Sequence, residues 1–146
     1  AMYYAKSQEQ ARSVLFDPAM RSRALSRLQM ETDLRRAMER HEFRIVYQPI
    51  VSLITDKITG FEALIRWQHP SRGIVSPVEF IQLAEETGLI AQLDRWMLHQ
   101  ACQQLALWKS QFPQCLPLKM SVNFSGVQLT TADLLSYVDR VLQETG

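Results

Sequence analysis

Between residues 57 and 67 apolar and polar side chains alternate, the pattern of a half-buried strand. Phe61, Ala63, Ile65 and Trp67 fall on one side of it, and Glu62, Leu64 and Arg66 on the other. The first set predicts a core face. The second puts a carboxylate and a guanidinium on one wall; if that wall is enclosed both need partners, because an unpaired buried charge is expensive. A metal ion and a phosphate would serve.

A second β-like run, Phe43 to Val51, precedes this one across the link Ser52 to Asp56. That link is too short for a parallel crossover, so the two runs are expected to form an antiparallel hairpin turning near Thr55 and Asp56. With that turn Gln48 falls roughly opposite Glu62 and presents its amide to the same wall. Pro49 lacks a donor for the ladder, which favours an edge or irregular position for the first strand. A third run, Leu118 to Ser125, again has two faces: Leu118, Met120, Val122 and Phe124 alternate with Lys119, Ser121, Asn123 and Ser125.

Helical periodicity fills the intervals. A first helix is predicted from Pro18 to Arg40, with Asp17 as its cap and Leu28, Met30, Leu34, Ala37, Met38 and His41 on one side. Ser76-Pro77-Val78-Glu79 reads as a capping box opening a helix that buries Phe80, Leu83 and Ala84 and stops at Gly88. A longer helix, Ile90 to Lys109, buries Leu93, Met97, Ala101, Leu105 and Trp108. Thr130 and Asp133 cap a last helix that ends at Gly146. Strand, helices, strand, helix is the grammar of a parallel α/β sheet. An open doubly wound sheet has strands apolar on both faces, whereas strands with an apolar outer and a polar inner face describe a (β/α) barrel, whose chemistry sits at the C-terminal strand ends. An eight-unit barrel needs about 200 residues or more. Three strands in 146 residues therefore predict less than half of one.

Composition narrows the function only a little. The chain has the length of about one domain, and 47% hydrophobic with 21% charged residues is ordinary for a globular chain. Sixteen basic against fifteen acidic side chains leave no net field to hold a polyanion, so no DNA or RNA polymer is expected as a partner. Acids interleave the arginines of the first helix, whose polar side reads as a solvated or interdomain connector. Cys102 and Cys115 have neither metal-ligand spacing nor the makings of a disulfide framework, and a cytoplasmic location is expected, with tethering of the full-length protein to the inner membrane through an upstream segment left open. No segment is apolar enough to span a bilayer, and the start, Ala1 to Lys6, reads as the cut end of something longer rather than a signal peptide. His41, His69 and His99 have no mutual metal spacing and are read as helix-end, loop and surface residues. The three tryptophans fit packing better than base stacking.

Four motifs, in order, then carry a resemblance. Tyr47-Gln48-Pro49-Ile50, Gly60 to Trp67 (Gly-Phe-Glu-Ala-Leu-Ile-Arg-Trp), Phe80 to Leu89 (Phe-Ile-Gln-Leu-Ala-Glu-Glu-Thr-Gly-Leu) and Ser121-Val122-Asn123-Phe124-Ser125 closely resemble the first half of an EAL domain. Ala1 to Lys6 resembles the last helix of a GGDEF domain, the diguanylate cyclase module that often precedes an EAL domain. The expected organisation is a GGDEF-like tail and linker over 1–16 and an EAL half over 17–146.

The resemblance implies a modified, TIM-like (β/α)8 barrel with an antiparallel first strand, here truncated after about three strands. It implies hydrolysis of cyclic di-GMP to linear pGpG with Mg²⁺ or Mn²⁺. The family's metal-binding glutamate and asparagine fall on Glu62 and Asn123, and its substrate-contacting positions on Gln48, Leu64 and Arg66. Hard divalent cations take oxygen ligands, which a carboxylate and an amide carbonyl supply. Arg66 would clamp a phosphate and Leu64 would offer a base an apolar surface.

Blander readings stand beside these. Glu62 and Arg66 are four apart on a strand, roughly 13 Å, too far to pair with each other. Asn123 is either a ligand or a strand-end side chain satisfying backbone, Arg66 either a phosphate clamp or the partner of an acid elsewhere, and Leu64 either a substrate contact or lumen packing. The family's remaining ligands and base belong to its second half, so this chain alone is expected to be inactive. Open strand edges predict pairing with another copy or another half, as a homodimer through EAL or linker helices. An inactive EAL domain serving as a cyclic di-GMP receptor or regulatory module is the alternative.

Overall fold

The computed structural model describes residues 18–115 and 117–146. The GGDEF-like segment and the Asp17 cap lie outside these residues. β2 (Ile58–His69) is the axis of a four-stranded sheet. β1 (Phe43–Val51) runs antiparallel along one edge of it, Phe43 facing Trp67 and Gln48 facing Glu62. On its other edge β3 (Gly73–Val75) pairs antiparallel with its C-terminal end, and β4 (Lys119–Val122) pairs in parallel with residues 60–63. Among the described residues five α-helices, α1 (Pro18–Ala37), α2 (Pro77–Thr87), α3 (Ile90–Gln111), α4 (Gly126–Leu129) and α5 (Leu134–Thr145), and one turn of 3-10 helix (Pro113–Cys115) complete the order.

The hairpin turns where the sequence predicts. Asp56 takes a left-handed conformation (φ 53°), donating its N–H to the Ser52 carbonyl at 2.8 Å while Ser52 donates to that of Lys57 at 2.9 Å. β1 pairs with β2 alone among the described residues, an edge position that tolerates Pro49. The apolar side of β2 is the core: Ala63, Ile65 and Trp67 are buried and pack with Phe43 and Phe80, the three aromatic rings lying 5.6–5.8 Å apart. Met30, Leu34 and Ala37 of α1 and Leu93, Met97 and Ala101 of α3 close it. Burying each such large side chain stabilises the fold by about 1.5–3 kcal/mol.

Several local expectations are corrected. α1 ends at Ala37 rather than Arg40: Glu42 donates to the Ala37 carbonyl, and His41 turns left-handed (φ 54°) to feed the chain into β1. Burial on α1 begins at Met30, and Leu28 is exposed. Ser76 stands at the N-cap of α2, but its side chain makes no capping bond; Pro77 at the first turn has already removed one orphan donor. Asp133 precedes α5 without capping it, because its carboxylate is taken by Arg95 at 2.6 Å. The third predicted strand stops at Val122, four residues later comes α4, and β3 forms where a loop was expected. His69 is buried rather than a loop histidine, since β2 runs on two residues past Trp67 and 69 shares its core face.

Candidate functional site

Gly60 sets the spacing from which the site is built. A Cβ there would lie 2.5 Å from the Lys119 carbonyl oxygen, so glycine is what lets β4 dock against β2. The parallel register that results sets Ser121 beside Glu62 and Val122 beside Ala63. Asn123, one residue past the strand, shares the face of Ser121 and Glu62. Its Nδ2 donates to Glu62 Oε1 at 2.7 Å. From the other side the β1 register sets Gln48 opposite Glu62. Three strands thus bring Gln48, Glu62 and Asn123 to one wall, with Leu64 and Arg66 further along β2 on the same face.

Arg66 donates Nη1 to the neighbouring Ile65 carbonyl at 2.8 Å and pairs with no acid among the described residues. Directly opposite it lies Arg44, whose Nη1 reaches the carbonyls of His41 and Phe43 at 2.7 and 2.9 Å. Like charges facing across an antiparallel pair repel, which favours an anion beside this end of the wall. The hairpin register that matched Gln48 to Glu62 also matches 44 to 66, so Arg44 was within reach of sequence reasoning but was not drawn out.

Asp94 was missed as well. It is 7% exposed on the buried side of α3, among Ile90, Leu93 and Met97. Its Oδ2 accepts from both the backbone N–H (3.0 Å) and the hydroxyl (2.7 Å) of Ser125. Ser125 in turn caps α4 by accepting from the Gln128 N–H at 3.3 Å. An acid inside an apolar helical stripe was the signal available in the sequence. Asp94, Ser125, Asn123, Arg66, Leu64 and Glu85 all border one cleft of about 260 Å³ at the C-terminal end of β2. A larger apolar groove of about 960 Å³ lies at the opposite end of the strands, around Phe61, Trp108 and Phe112, and holds none of these groups.

The donor set has the chemistry of a hard divalent cation: a carboxylate and an amide, both bearing oxygen, in direct contact. Two donors are a partial shell, and no group of three His, Cys, Asp or Glu side chains suited to a metal occurs among the described residues.

Residues 31–146 match the model of the EAL domain. The chain is 39% identical over 142 residues to the bifunctional diguanylate cyclase/cyclic di-GMP phosphodiesterase MucR of Pseudomonas aeruginosa, covering 97% of this chain and 20% of MucR. It is 37% identical over 144 residues to the cyclic di-GMP phosphodiesterase PdeR of Escherichia coli, covering 99% of this chain and 21% of PdeR. The chain thus spans about a fifth of these relatives. Among solved structures, the PaMucR phosphodiesterase in its c-di-GMP complex superposes with a TM-score of 0.76 at 38% identity, over 80% of this chain and 47% of that one. The parallel β2–β4 pair, the antiparallel β1 and the one-sided core are therefore part of a TIM-like barrel, and the chain belongs to the EAL domain family.

Proposed function

We propose that this chain is the first half of a catalytic domain that hydrolyses cyclic di-GMP to linear pGpG with Mg²⁺ or Mn²⁺. The observation that carries the reading is the 2.7 Å contact of Asn123 with Glu62 on the polar wall of an EAL domain. A half-turn of the Asn123 amide exchanges Nδ2 for Oδ1 and leaves two facing oxygens, an arrangement that a cation makes favourable. Glu62 and Asn123 would hold that cation. When bound, divalent cations supply an activated water and charge stabilisation for in-line displacement at phosphorus. Arg66 grips a phosphate through charged hydrogen bonds, Leu64 gives a base an apolar surface, and Gln48 presents its amide to the same wall.

Six ligands complete a Mg²⁺ shell, so the two donors on this chain leave the 146-residue polypeptide inactive by itself. In the whole protein, copies pair through EAL surfaces or the linker helix α1. The test is chromatographic detection of pGpG from cyclic di-GMP and Mn²⁺ with the whole protein and its Glu62→Ala variant. Metal-dependent product that Glu62→Ala abolishes is expected. Cyclic di-GMP binding without any product would instead favour a receptor, and turnover that survives Glu62→Ala would remove Glu62 from the metal site.

A further inference from the structure

We infer that Asp94 is a positioning residue for the Glu62–Asn123 pair, acting through Ser125; this rests on the phosphodiesterase reading and extends it to what sets the site's affinity for its cation. β4 ends at Val122, so Asn123 stands beyond the ladder and is not held by strand pairing. The helix that follows has only four residues. Asp94 on the 22-residue α3 ties this segment to the body of the domain by hydrogen bonds from both the N–H and the hydroxyl of Ser125, two residues past Asn123. The same hydroxyl caps α4. A relay therefore runs from α3 to the amide that meets Glu62: Asp94 fixes Ser125, Ser125 fixes the turn, and the turn aims Asn123.

The residue type supports this role. A carboxylate buried on an apolar helical face is costly, and Ser125 already caps α4 with its own hydroxyl, so Asp94 is not needed for the cap itself. Two hydrogen bonds converging on Asp94 Oδ2 hold Ser125 at both its backbone and its side chain. Groups that orient a metal ligand from behind typically change metal affinity by about 10–100-fold when removed.

The experiment measures Mn²⁺ binding without substrate, by loss of the free-ion electron paramagnetic resonance signal, on the whole protein. Asp94→Ala is expected to weaken Mn²⁺ at least about tenfold, with Asp94→Asn, which keeps an oxygen acceptor, falling between it and the parent. The KM for cyclic di-GMP at saturating Mn²⁺ stays within about twofold, since Asp94 aims a ligand and does not grip the nucleotide. Leu93→Ala, a core change one residue away, serves as the control: a folded Asp94→Ala with parental Mn²⁺ affinity, or a loss that Leu93→Ala matches at equal melting temperature, overturns the proposal. If Asp94→Ala does not fold, Ser125→Ala removes the 2.7 Å bond together with the 3.3 Å cap of α4 and leaves the backbone bond to Asp94 in place, and unchanged Mn²⁺ affinity there overturns it equally. Should the parent protein bind no Mn²⁺ at all, the phosphodiesterase reading fails first. The nuclear magnetic resonance signal of the Asn123 side-chain amide then decides the relay: a shift in Asp94→Ala but not in Leu93→Ala keeps it, and no shift sinks it.

Discussion

Glu62 finds Asn123, and Arg66 finds, among the described residues, only a backbone carbonyl, so the two charges of the β2 wall answer to different partners. Arg66 retains most of its planar fork for an incoming phosphate, and a lysine cannot reproduce that fork. Arg66→Lys is therefore expected to lower kcat/KM for cyclic di-GMP by about 1.5–3 kcal/mol, mostly through KM, with Mn²⁺ binding unchanged. Steady-state kinetics at saturating Mn²⁺ check this; parental kcat/KM would leave Arg66 a structural residue. At this scale the sequence was informative because a strand has period two: one alternating run and one turn settled which side chains share the wall. Asp94 shows in periodicity only as an acid inside an apolar stripe, its partner lying 31 residues away, and Arg44 shows only when the hairpin register is carried on to the far end of β2.

At the scale of elements, the docking of β4 on β2 depends on the missing side chain at 60. Gly60→Ala forces a Cβ to within 2.5 Å of the Lys119 carbonyl unless β4 withdraws, a change expected to cost about 1–3 kcal/mol. Thermal unfolding reads the loss, and weaker Mn²⁺ binding accompanies it because Asn123 withdraws with β4; an unshifted melting temperature would contradict the close approach. α1 is fastened at the other end of β2. His69 accepts at Nδ1 from the N–H groups of Ser71 (3.2 Å) and Arg72 (3.3 Å), so a neutral ring carries its proton on Nε2 and donates to Asp33 Oδ2 at 3.2 Å. Burial pushes the Asp33 carboxyl upward, but hydrogen bonds from His69 and Gln29 and the nearby Arg72 charge together outweigh it and hold the carboxyl below its ordinary range. A carboxylate held low in the folded state contributes stability that is complete above its unfolded value and lost as pH falls through the folded one. Melting curves of the parent are thus expected to fall more steeply below about pH 4 than those of Asp33→Asn; parallel curves would remove Asp33 from the fastening.

Long elements with strong periodicity, α3 and β2 above all, were legible in the chain to within a residue or two. β3, α4 and the early end of β4 were not. Three- and four-residue pieces have too few positions to establish a period, and the alternation of residues 118–125 runs on through a turn that tertiary hydrogen bonds to α3 impose.

At the scale of the molecule, the wall that carries the candidate site is also the wall left open. Val46, Ile50 and Ile58 stand 41–51% exposed, and neither β1 nor β4 has a strand on its outer edge among the described residues. Unpaired edges beside an apolar face seek a partner. The 146-residue chain, expressed alone, is expected to associate in light scattering and to yield no pGpG; a monodisperse monomer, or product, would contradict that.

The central claim is that Glu62 and Asn123 converge on one cation. Anomalous diffraction from crystals of the whole protein with Mn²⁺ and cyclic di-GMP tests it most directly. The account predicts a Mn²⁺ peak at bonding distance, roughly 2.0–2.6 Å, from a Glu62 carboxylate oxygen and the Asn123 amide oxygen, with the amide turned from its present orientation. A Mn²⁺ peak elsewhere, with Asn123 still donating Nδ2 to Glu62, would contradict it.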